Sequence, residues 1–175
     1  GLVALLLMQD PEPGLVAEYF TGPGKPAFVR VEPQIHHALV TGEFHGTKLA
    51  ENFTARWSGI LRCEQAGLYN FYVESDDGCK LFVDNELVID NSGGRMMEQK
   101  ADRLTLTAGD HALRFEYTQT SGPAGVNLQW KPPKAGRQIV PAKVLFHAKG
   151  AENLDWDRTA WEQRPAAPPM KAVDL

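Results

Sequence analysis

The chain has 175 residues, 43% hydrophobic and 23% charged, enough to bury one sizeable core and too few for two domains of ordinary size. Its 18 basic and 22 acidic residues give a formal charge of −4, and no basic run or aromatic-plus-arginine cluster occurs, which argues against nucleic acid as a partner. With 16 glycines and 12 prolines, the composition suits a turn-rich β protein rather than a helical one.

The chain starts with a short apolar run, Leu2 to Met8, too short to span a membrane. It reads either as the remnant of a secretory apolar region or as an apolar strand or tail packed on the body, so residues 1–13 are taken as a tail or signal remnant. Strand signals then dominate. "GLVAEYF" (14–20) is a short β run closed by "TGPGKP", and "AFVRVE" follows. Residues 33–51 are polar and are expected to form a long, weakly structured connection. "FTARWSGIL" alternates, with Phe53, Ala55 and Trp57 on one face. "GLYNFYVES" sets Leu68, Asn70, Tyr72 and Glu74 against Tyr69, Phe71, Val73 and Ser75.

"KLFVD" and "LVID" flank the turn "DNE", and "DRLTLTAGDHALRFEYTQ" predicts a hairpin turning at "TAGD". "VNLQW" and the Pro-interrupted edge "QIVPAKVLFH" complete the series. Short strands at this spacing imply an all-β fold: an antiparallel β-sandwich or barrel-like roll of roughly ten or more strands over 14–147. The expected core pairs are Phe71 with Val73, Leu81 with Val83, Phe115 with Tyr117, and Leu128 with Trp130. Trp130 has a sugar-stacking platform as its functional alternative. Residues 148–175, with "AAPP", Trp156 and Trp161, read as an irregular C-terminal arm or linker; 154–163 offers a short helix.

Cys63 and Cys79 are too few for a disulfide-built scaffold and are either one bridge or two small buried thiols. Asn52-Phe53-Thr54 fits the glycosylation triplet. No Gly-x-Ser-x-Gly elbow or activated cysteine occurs, and the histidines (36, 37, 45, 111, 147) lack zinc-site spacing and are expected in solvent. Nothing here favours an enzyme.

The informative stretch is "ESDDG". Asp77-Gly78 suffices for a tight turn, so Asp76 is the extra residue. Neighbouring carboxylates repel unless they face water, share a proton or hold a cation. A hard cation such as Ca²⁺, which takes carboxylate and carbonyl oxygens, is the functional reading, and a solvated turn is the bland one.

"GLVAEYF", "RWSGIL", "AGLYNFYVESDDGCKLFVDNELVID", "LTAGDHALRFEY" and "VNLQW" occur in an order that resembles the PA-fourteen domain, named for the protective antigen of a bacterial toxin. The resemblance implies a non-catalytic β-sandwich of secreted or cell-surface proteins; a monomeric unit of a larger protein, with no membrane insertion, is expected. Several members bind carbohydrate. In the adhesin branch two neighbouring aspartates, joined by a cis peptide, ligate Ca²⁺, and the ion holds sugar hydroxyls; these map onto Asp76 and Asp77. That branch also uses an asparagine four residues before the late-strand tryptophan, where this chain has Val126, with Asn127 next to it. A bulge near Gly125 would be needed to turn Asn127 to the site. The loops 91–99 and 118–125 flank the site and offer Asn91, Arg95 and Gln119 as ligand contacts. The expected function is therefore a glycan- or polysaccharide-binding module, with Ca²⁺ as its candidate cofactor and an accessory spacer domain as its rival.

Overall fold

The computed structural model describes residues 11–153. These form two antiparallel sheets of eight and five strands, neither closed into a barrel. The strands are β1 (Glu12–Pro13), β2 (Leu15–Phe20), β3 (Phe28–Glu32), β4 (His36–Val40), β5 (Phe53–Cys63), β6 (Gly67–Asp76) and β7 (Gly78–Val83). They continue as β8 (Glu86–Asn91), β9 (Glu98–Leu106), β10 (Gly109–Gln119), β11 (Ala124–Lys131), β12 (Gln138–Ile139) and β13 (Leu145–His147), with one 3₁₀ turn at Ala142–Val144.

The larger sheet runs β1-β13-β5-β10-β7-β8, with β2 and β3 added beside β5. The smaller runs β12-β11-β6-β9, with β4 also on β11. Alternation drives both. On β5, Phe53, Ala55 and Trp57 point inward, and on β6 Tyr69, Phe71 and Val73 do the same. All the expected core pairs are buried, Trp130 included, so this tryptophan packs against Tyr69 at a ring separation of 5.3 Å. Each fully buried side chain of this size contributes roughly 1.5–3 kcal/mol.

Three expectations are corrected. The segment 33–51 is ordered: β4 pairs with β11, and Ile35, Phe44 and Thr47 are buried. The strands of "DRLTLTAGDHALRFEYTQ" are not a hairpin. β9 pairs with β6 in the smaller sheet and β10 with β5 and β7 in the larger, so "TAGD" carries the chain from one sheet to the other. The third concerns histidine. His36 is exposed, but His111 and His147 are buried, because each finds polar partners inside. His111 lies 2.6 Å from an Asp84 oxygen and 2.7 Å from the Thr107 carbonyl. Burial alone would lower its pKa, yet these partners raise it.

The turn of the β7–β8 hairpin has positive φ at both Asp84 and Asn85, as a two-residue primed turn requires. A polar cluster spans the layers at Glu32. This buried carboxylate accepts hydrogen bonds from Tyr19, from Arg30 Nε (2.8 Å) and from Trp57 Nε1 (3.1 Å), and lies 2.7 Å from His37 Nε2 of the smaller sheet. Leu2–Met8 and the residues 154–163 lie outside the described residues.

Candidate functional site

The two aspartates occupy a crossing between layers. β6 ends at Asp76 in the smaller sheet and β7 starts at Gly78 in the larger. The chain must therefore change sheets within Asp76-Asp77-Gly78, which is why no ordinary hairpin turn forms there. The Asp76–Asp77 peptide is cis, as the resemblance implies. Gly78 passes so close to the residue that follows β8 that a Cβ on it would sit 2.4 Å from the Ser92 carbonyl oxygen. Ser75 faces the core at 0% exposure, and alternation turns Asp76 the other way.

Asp76 is 7% exposed, while Asp77 is half-buried. Their carboxyls, on adjacent residues, act on each other electrostatically. Burial pushes the Asp76 carboxyl above its ordinary range; the Met96 backbone hydrogen bond opposes this, the Asp77 charge and contact add to it, and Arg95 opposes it again. Asp77 is held from the other side. Thr120 N–H donates to its Oδ2 at 2.8 Å, and its own N–H donates to Gln119 Oε1 at 3.2 Å. The Tyr117 hydroxyl donates to the Asp76 carbonyl and lies 3.1 Å from Gln119 Oε1.

The remaining site candidates fall into different surroundings. Arg95 is exposed and close enough to Asp76 to act on its charge. Gln119 is buried, and its amide donates to the Gly122 and Pro123 carbonyls, so it braces the loop that carries Thr120. Asn91 is also buried, donating to Ser75 Oγ (3.1 Å) and the Glu98 carbonyl (3.3 Å), which closes the loop bearing Arg95. Val126 is fully buried in the core opposite Ser75.

β11 does shift register at Ala124/Val126, but against β4; against β6 it stays regular, with Gly125 opposite Asp76 and Asn127 opposite Glu74. Asn127 accordingly joins the outer face. Its Nδ2 donates to Glu74 Oε2 (3.2 Å) and its Oδ1 accepts from Gln129 (3.1 Å). The structure therefore brings together Asp76, Asp77, Arg95 and Gln119, and engages Asn91 and Asn127 elsewhere.

Sequence reading missed Tyr117, Thr120 and Met96. The last two act through backbone N–H groups, which leave no mark in side-chain identity; Tyr117 reads from the sequence as a core residue, and it is buried. Chemically, the arrangement presents two acceptor-rich carboxylates on adjacent residues, partly shielded from water, with one guanidinium nearby. Such a pair binds a proton or a hard cation more readily than isolated carboxylates do.

Among known proteins, the chain is 27% identical over 140 residues to anti-sigma-I factor RsgI3 of Acetivibrio thermocellus, covering 78% of this chain and 22% of that protein. The chain thus spans about a fifth of the length of this relative. A solved anti-sigma factor domain-containing protein superposes with a TM-score of 0.73 at 27% identity, over 79% of this chain and 50% of that one. A PA14 sugar-binding domain from an RTX adhesin shares the fold, with a TM-score of 0.68 at 19% identity, over 78% of this chain and 99% of that one. The PA14 domain profile matches residues 11–143, nearly the whole of both sheets, and on that match the chain belongs to the PA14 domain family.

Proposed function

We propose that this domain is a non-catalytic carbohydrate-binding module of a secreted or cell-surface protein, with the Asp76–Asp77 pair as its focus and Ca²⁺ as its cofactor. The observation that carries this reading is the placement of two adjacent carboxyls, Asp76 and Asp77, at a sheet crossing rimmed by the loops 91–97 and 118–123. Their donor set fits Ca²⁺: hard carboxylate oxygens, each with lone pairs left after the Met96 and Thr120 hydrogen bonds. Asp76 and Asp77 would hold the ion, which when bound supplies a Lewis-acidic centre for vicinal hydroxyls. Arg95 then offers hydrogen bonds to a sugar, and the side chain of Met96, 86% exposed, offers an apolar wall. The sugar-binding adhesin domain of the same fold is consistent with this reading. Among the described residues no helix is long and apolar enough to cross a membrane.

A second reading is an accessory module without a ligand, carried by a larger regulatory or surface protein. The 27% identity to anti-sigma factors and the burial of Val126 favour it. Calorimetry separates the two. Chelator-treated protein titrated with Ca²⁺ is expected to bind one ion with a dissociation constant of about 10⁻⁴–10⁻³ M, the range of extracellular calcium modules. A glycan screen should then yield ligands whose binding is lost in EDTA and in Asp76→Asn/Asp77→Asn. Absence of both heat and glycan ligands would establish the accessory reading, and glycan binding unchanged in the double variant would remove the aspartates from the site.

A further inference from the structure

A second cluster of ligating side chains lies where β1 meets β13, built from residues that the first site does not use. Glu12 of β1 is the direct partner of His147 of β13. After β13 the chain folds back through two tight turns, Ala151 N–H to the Ala148 carbonyl and Asn153 N–H to the Gly150 carbonyl, each 3.0 Å. These turns bring Glu152 to the same imidazole. His147 Nε2 then lies 3.5 Å from Glu12 Oε2 and 3.4 Å from Glu152 Oε2, and the three ligand atoms are mutually within 4.8 Å.

The histidine is oriented for a ligand. Its Nδ1 lies 2.9 Å from the Gly14 carbonyl oxygen. A carbonyl can only accept, so Nδ1 carries a proton and the neutral ring presents the Nε2 lone pair to the two carboxylates. His147 is 3% exposed, and neither its Nε2 nor Glu152 Oε2, both buried, has a hydrogen-bond partner. Three electron-rich atoms thus converge with no donor among them, which is unfavourable unless a cation or a second ring proton lies between them.

We propose that Glu12, His147 and Glu152 form a binding site for a zinc-type divalent cation that ties β1 to the turn after β13. An imidazole whose other nitrogen is fixed by a backbone carbonyl, with two carboxylates, is a borderline nitrogen–oxygen donor set, suited to Zn²⁺ rather than to the all-oxygen preference of Ca²⁺. Spacing agrees. Metal–ligand bonds of about 2.0–2.1 Å in a tetrahedron put neighbouring ligand atoms about 3.3–3.4 Å apart, close to the two distances from Nε2. The carboxylate side chains are 44% and 37% exposed, so an ion has an open approach from solvent and a fourth position left for water.

The test is calorimetry of Zn²⁺ into the chelator-treated full chain, repeated on Asp76→Asn/Asp77→Asn to remove the first site. One Zn²⁺ per chain is expected in both proteins, with a Tm several degrees higher in zinc than in EDTA. Glu12→Gln and Glu152→Gln, conservative changes at partly exposed positions, should each weaken zinc at least tenfold without unfolding the domain. His147→Gln should abolish binding. No zinc heat in the parent chain, or zinc binding unchanged in Glu12→Gln and Glu152→Gln, overturns the proposal: the cluster is then an imidazolium shared by two carboxylates. Retention of Ca²⁺ in preference to Zn²⁺ by the Asp76→Asn/Asp77→Asn protein overturns it as well.

Discussion

At Glu32 four side chains converge on one buried carboxylate: Tyr19, Arg30, His37 and Trp57. Burial alone would raise its pKa, but the bonds from His37 and Tyr19, with the charges around them, hold it at about 2 against an ordinary 4.5. A depressed carboxyl stabilises the fold fully above its unfolded pKa and loses that contribution as pH falls through the folded one. The window is therefore about pH 4.5 down to 2, and the shift is worth about 3 kcal/mol. Urea midpoints measured from pH 7 to 2.5 should fall steeply below about 4.5 in the parent chain. Glu32→Gln should start about 3 kcal/mol lower at pH 7 and show a flatter acid limb; an unchanged acid slope would remove Glu32 from this role. None of this is visible in "FVRVE", where Glu32 carries no mark of its partners. Its partners come from sequence separations of 2 to 25, and only the packed sheets bring them together. Asp76 is the contrasting case, because its neighbour Asp77 is adjacent in the chain and the carboxylate pair was legible at once.

Alternation identifies which residues face inward, but it does not name a strand's partner. Phe71, Val73, Leu81 and Phe115 are therefore expected in the core from the sequence, and the structure buries them all. "LTAGDHAL" failed for the same reason. A short Gly-containing link between alternating strands has one sequence signature whether the strands pair or diverge into two sheets. β4 escaped notice because it is an edge strand paired only with β11, and His36, Ala38 and Leu39 on it are exposed, so it carries little apolar period. At "SDDGC" the crossing itself depends on Gly78, whose missing side chain lets the backbone pass the Ser92 carbonyl. Gly78→Ala would push Cβ to 2.4 Å from that oxygen, against backbone that cannot swing away. The expected cost is about 1–3 kcal/mol, read as a lower denaturant midpoint at constant m-value. Calcium binding at Asp76 and Asp77 should weaken in the same variant, since Gly78 sets where both carboxylates lie. A stability equal to the parent's would mean that β8 moves freely, and the crossing would not be the rigid support described here.

On the scale of the whole molecule, the sandwich is held by its core and the Glu32 cluster, with no disulfide, since Cys63 and Cys79 are both free and buried. Topology explains why the bridge that the sequence left open does not form. β10 lies between β5 and β7, pairing Gly109 with Cys63 on one side and Tyr117 with Cys79 on the other. At about 3.4 Å per residue along β10, that offset puts the two cysteines more than about 25 Å apart, whereas a disulfide needs Cα atoms within about 7 Å. Each thiol is also unreactive where it sits. Burial pushes Cys63 up to about 12 and Cys79 up to about 11. At pH 8 the thiolate fraction is then about one part in ten thousand for Cys63 and about one in a thousand for Cys79, and both residues are buried. Native protein treated with iodoacetamide at pH 8 should therefore remain unlabelled by mass spectrometry over a period in which urea-unfolded protein takes up two labels. The Tm should be the same with and without reductant. Labelling of the native chain at the rate of the unfolded one would show that the sheets open at β5 or β7 far more often than a core packed around Trp57 and Phe115 allows. A reductant-dependent Tm would show a covalent link that the strand order forbids within one chain, and would point to bridging between chains.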